Sequence, residues 1–152
     1  MDTRQPASPT IDGHDQAIGR RVAETTTELQ ITGRATVPSD ATTAVLNITA
    51  INATGPGYLT VWPCGTDQPN ASNLNYTADQ IIPNTVITKI GSTGTICIYT
   101  STTLDLIADI DGYHAGTRYI VRLDMAAWQE GTDAAAYKAS LVALKAAAAI
   151  PG

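Results

Sequence analysis

The sequence predicts an all-β fold: an antiparallel β-sandwich, jelly-roll or immunoglobulin-like, of about eight strands, with a C-terminal α-helical tail. Three observations predict it. Short runs rich in Val, Ile, Thr and Tyr alternate apolar and polar residues between about residues 22 and 113. Clusters of Gly, Pro, Asn, Asp and Ser separate them at the spacing of a sandwich. After Tyr113 the composition shifts and an alanine-rich segment follows. Alternation with a period of two buries one strand face, and two such faces must cover each other.

The elements follow in order. Residues 1–21, rich in Pro, Gly and Asp, read as an extended, loop-like lead-in. "TELQITG" is the first strand, with Leu29 and Ile31 on one face. "VPSD" is a turn, Pro38 fixing φ, and "TAVLNITAI" is a strongly β-branched strand. "NATGPG" turns the chain into "YLTVWP". "SNLNYT", "TVITKI", "TICIYT" and "LDLIADIDGY" follow, and "HAGTRYIVRL" is a last strand or a connector. These runs make a sandwich domain over residues 22–123, with the tail at 124–152. In the tail, Thr132 or Asp133 can cap a helix whose Tyr137, Leu141, Leu144 and Ala148 form a narrow apolar stripe. That stripe either packs across the end of its own sandwich or docks on neighbouring subunits as an assembly helix.

The chain has 152 residues and a net charge of −5, with only 15% charged residues. One domain of that length buries a sizeable core. Nine scattered basic residues offer no phosphate-neutralising face, so nucleic acid is excluded as a partner. No apolar run spans a membrane. No charged segment followed by an apolar one comes after Met1. The expectation is either a chain whose signal is gone or one that leaves the cell inside a virion released by lysis.

Cys64 and Cys97 are the two cysteines. In a β-rich chain with a secreted-protein composition they favour a disulfide over a free buried pair or a reactive thiol. Two cysteines do not complete a tetrahedral zinc site, and neither His14 nor His114 is spaced to finish one. No catalytic constellation, cofactor motif or metal site stands out. In "LDLIADIDG", Leu104, Leu106, Ala108 and Ile110 share one face and Asp105, Asp109 and Asp111 the other. This reads first as a solvated carboxylate face. Asp109 and Asp111 are a weak calcium candidate, because the 12-residue loop and terminal Glu of an EF-hand are missing. In "YLTVWP", Tyr58, Thr60 and Trp62 share a face. Two readings stay open: outward rings that form a carbohydrate surface with Asn73 and Asn75, or a Trp62 buried in the core beside the disulfide.

Taken in order, "DTR", "VPSDATTAVLNITA", "ATGPGYLTVWPCG", "ASNLNYTADQIIPN", "GTICIYTS" and "DLIADIDGYH" resemble a β-rich repeat module of secreted and cell-wall-associated actinobacterial proteins. The phrases are also similar to modules carried by actinobacteriophages. The resemblance covers residues 2–113 and brings no assigned catalytic residue or ligand, with Asp2 and Arg4 matching the module's Asp-Thr-Arg. A lone copy with an added tail departs from tandem cell-wall arrays. The expectation is therefore a structural or decoration protein on a virion surface, capsid- or tail-associated. Its partners would be its own copies, as a homotrimer or other cyclic homo-oligomer, and a capsid or tail protein. The alternative is a secreted or cell-wall adhesion module that binds cell-surface glycan.

Overall fold

In the computed structural model, residues 1–6, 9–116 and the backbone of 118–121 are described. The chain divides into Met1–Arg122 and Leu123–Gly152, and the description concerns the first unit. Tyr137, Leu141, Leu144, Ala148 and the tail helix as a whole lie outside the described residues.

Eight strands form among them: β1 (Thr25–Gln30), β2 (Ala41–Ile51), β3 (Gly57–Pro63), β4 (Leu74–Tyr76), β5 (Ile82–Lys89), β6 (Thr95–Thr100), β7 (Asp105–Ala115) and β8 (Arg118–Val121). They build two four-stranded antiparallel sheets, ordered β1-β6-β3-β4 and β5-β2-β7-β8. No helix occurs among the described residues.

Alternation decides which faces are buried. Leu29, Leu59, Val61, Leu74, Ile96 and Ile98 of the first sheet join Ala44, Leu46, Ile48, Val86, Leu106 and Ala108 of the second in one apolar cluster. The edge position of β5 accommodates Pro83, whose missing N–H would break a ladder in a central strand. The turn between β5 and β6 needs glycine at position 94. There φ is +82°, and a Cβ would stand 1.9 Å from the Thr32 hydroxyl.

No named strand precedes β1, and the described residues before it run as loop and turn, bridging to β7 at Asp2 and to Leu104 at Arg21. Met1, Asp2 and Thr3 are buried, and Thr3 donates its N–H to Leu106 O at 3.0 Å while its hydroxyl accepts from Leu106 N at 2.8 Å. Arg21 and Leu104 exchange both backbone bonds. This seam covers Asp105, which is 7% exposed rather than part of a solvated face. Its carboxylate accepts from Asn52 Nδ2 at 3.1 Å and from the Thr3 hydroxyl at 3.5 Å. A buried carboxylate requires such donors. The Asp2–Arg4 side-chain pair closes at 2.6 Å, but across two residues of the same segment; Met1, Thr3 and the Asp2–Ile107 bridge tie that segment to β7.

Candidate functional site

The outer face of the first sheet holds the candidate site. Leu59 and Val61 of β3 point into the core, so Tyr58, Thr60 and Trp62 point outward, as alternation requires. Yet Trp62 is only 7% exposed. The segment between β3 and β4 folds back across this face. Trp62 Nε1 donates to Thr66 O at 3.1 Å, and the Thr60 hydroxyl donates to Ala71 O at 2.6 Å. Trp62 is thus buried outside the central cluster, under a loop.

Asn73 is part of that loop's attachment. Its Oδ1 accepts from Val61 N at 2.7 Å, and its own N–H donates to Leu59 O at 2.9 Å. Its amide is a structural bridge. Asn75 stands exposed on β4 opposite Tyr58, with its Oδ1 accepting from the Ser72 hydroxyl at 2.9 Å. The structure therefore keeps Tyr58 and Asn75 together at the surface and withdraws Trp62 and Asn73.

Tyr99 takes the vacated place. On β6, Ile96 and Ile98 enter the core, so Cys97 and Tyr99 face outward. The Tyr58 and Tyr99 rings lie 5.8 Å apart, tilted by 42°. That is a favourable separation for an aromatic pair. Partial burial of Tyr99, with Tyr58 and the Glu24 carboxylate beside it, raises its phenol above the usual value, so it remains a neutral hydroxyl at physiological pH. The signal for Tyr99 was legible in "TICIYT", where the two isoleucines fix the phase. The four strands of this sheet contain Glu28 and no Lys or Arg.

Cys64 and Cys97 form the expected disulfide, with Cα atoms 5.0 Å apart. It joins the end of β3 to β6 within one sheet and flanks the same loop. Asp109 and Asp111 are exposed on the other sheet. No group of three or more His, Cys, Asp and Glu side chains is arranged to hold a metal among the described residues. His114 Nδ1 pairs with the Thr42 hydroxyl at 3.1 Å.

A cleft of about 320 Å³ lies between the N-terminal segment, β1 and β7, floored by Leu29, Ile31 and Leu46. Arg34 dominates its polar rim. Its Nε and Nη2 donate to Asp12 at 2.8 and 3.0 Å, and its Nη1 pairs with Asp15. The charges of that cleft answer one another, which marks it as a structural junction. The Tyr58–Tyr99–Asn75 face is the better candidate. No family model, curated protein or solved structure matches the chain.

Proposed function

We propose that this chain is a non-catalytic structural and recognition protein of an external particle, most specifically a capsid- or tail-associated protein of an actinobacteriophage virion. In this reading its Tyr58–Tyr99–Asn75 face binds a neutral glycan of the cell envelope. The observation that carries it is the pair of tyrosine rings, Tyr58 exposed and Tyr99 half-buried, beside the exposed Asn75 amide on one sheet face. The rings supply an apolar platform for the C–H face of a sugar, while the phenols and amide meet its hydroxyls. The Glu28 carboxylate, with no Lys or Arg in these strands, disfavours an anionic chain. The two sheets serve as the layers of a sandwich of immunoglobulin-like kind. Its β2–β5 and β3–β6 neighbours match that order, while β1 and β7 have exchanged sheets.

The disulfide favours a second reading, a secreted cell-wall module, because such bonds persist in oxidising surroundings. Both readings use the same face. The test is retention of the purified protein on actinobacterial cell wall and on neutral soluble polysaccharides. Tyr99→Ala and Tyr58→Ala should each weaken it by about tenfold, with the fold intact. Co-fractionation with phage heads or tails separates the virion reading from the secreted one. Absence of retention on every glycan sinks the recognition role, and absence from particles sinks the virion role.

A further inference from the structure

The loop over Trp62 is pinned at both ends and lightly held between them. At its start, Cys64 is bonded to Cys97, and the Thr66 hydroxyl donates to Pro63 O at 3.0 Å. At its end, the Ser72 hydroxyl holds Asn75, Asn73 bridges to β3, and Asn84 Nδ2 donates to Asn73 O at 2.5 Å. Every residue from 65 to 71 is exposed, so none of their side chains is packed away. Gly65 enters the stretch at φ +90°, with open space where a Cβ would stand.

What the stretch covers is half of a ring platform. Thr60 lies opposite Tyr99 of β6, and Tyr58 and Trp62 flank Thr60 two residues to either side on the same face. Both are therefore diagonal neighbours of Tyr99, a spacing that large side chains bridge. Tyr58 uses that position in the ring pair. Trp62 holds the equivalent position on the other side, but the loop covers it, and Thr60 between them is fully buried. From Tyr58 to Trp62 the strand rises about 13 Å, room for a run of sugar units rather than one.

The contacts beneath the loop are of one kind. Trp62 Nε1 and the Thr60 hydroxyl both donate, and main-chain carbonyls of the stretch, Thr66 O and Ala71 O, accept. Sugar oxygens accept from the same donors, so exchanging loop for glycan leaves neither donor unsatisfied. The C–H face of a sugar would cover the indole in place of the loop. We propose that residues 65–71 are a displaceable cover, and that Trp62 and Thr60 beneath it form a second subsite continuing the Tyr58–Tyr99 platform for a longer neutral glycan. This rests on the glycan reading of that face and adds a dependence on chain length. A ligand that reaches only the tyrosines leaves the cover in place. One long enough to contact Trp62 favours the open form, because it gains contacts there that the closed form denies it.

The test uses the full chain with Trp128→Phe, which leaves Trp62 as the one tryptophan. The probe is neutral polysaccharide released from actinobacterial cell wall, partly hydrolysed and sorted by length. Long fragments should shift Trp62 emission to the red as the cover lifts, and short ones should bind without that shift. Trp62→Ala should weaken the binding of long fragments by about tenfold and leave short ones unchanged, whereas Tyr99→Ala should weaken both. A melting curve checks the fold of each variant, and the emission of the native Trp62 ring decides the matter if Trp62→Ala does not fold. Long fragments bound with no change in Trp62 emission overturn the cover, as does a gain with length that survives Trp62→Ala in a folded protein. Those results leave the Tyr58–Tyr99 reading standing. Absence of binding at every length overturns that reading and the second subsite with it.

Discussion

At the residue scale, Asp12 shows how one side chain couples the N-terminal segment to the β1 turn. The Arg34 guanidinium, hydrogen-bonded to both of its oxygens, holds the Asp12 carboxyl well below the usual carboxylate range. The folded value lies under the unfolded one, near 3.9. The pair's contribution is therefore fully present above that value and is lost as the pH falls below it toward the folded value. Asp12 and Arg34 side chains are 21% and 17% exposed, so screening is partial, and about 1 kcal/mol is the scale to expect. Asp12→Asn should lower stability near neutrality by that amount and flatten the fall between neutral and acid pH. Urea midpoints at low salt measure this; an unchanged acid limb would contradict it. Neither this pair nor the burial of Asp105 was legible in the sequence. Alternation assigns Asp105 to the outer face correctly, but it says nothing of a remote segment that comes to cover that face.

At the element scale, the strands were legible because their apolar residues keep a period of two, and β2 shows it best, with Ala44, Leu46, Ile48 and Ala50 all in the core. The ladder of "SNLNYT" proved shorter than its pattern, three residues, because Asn73 spends its side chain and backbone on tying the loop to β3. The bulge at Asp111 was hidden, since nothing in "IADIDGYH" marks where the phase slips until the partner strand is known. The disulfide was legible from count and context, but its placement within one sheet was not. That placement gives a prediction. The bridge closes a separation of 33 residues, and loop entropy assigns it about 3–4 kcal/mol. Cys97→Ala should cost that much. It should also release the end of β3 that anchors the covering loop, so Trp62 emission shifts red in native buffer. Equal unfolding midpoints with and without reductant, after free thiols have been titrated, would sink this account.

At the scale of the whole molecule, the N-terminal segment and β8 complete the same edge. β7 pairs with β2 along one side for its entire length. On its other side, β8 covers Gly112–Ala115, while Asp2 and Arg21 bridge to Ile107 and Leu104. Met1 donates its terminal amine to Ala108 O at 2.9 Å, and burial lowers that amine's pKa. A strand edge left open would expose a row of unpaired N–H and C=O groups. Here the edge is closed by two segments from opposite ends of the described chain. The consequence concerns cooperativity. Thr3 is fully buried, its seam shares Leu104 and Leu106 with the central cluster, and Met1 belongs to that cluster itself. The segment should therefore not fray as an ordinary terminus does. In native-state hydrogen exchange, the amides of Thr3 and Arg21, which donate to Leu106 O and Leu104 O, should open only with the global transition. Their opening free energies should match that of Ile98 in β6 and fall in parallel with denaturant. A separate, lower-energy opening of Thr3 and Arg21 would show that the seam is an appendage, and that β7 meets its partners without it.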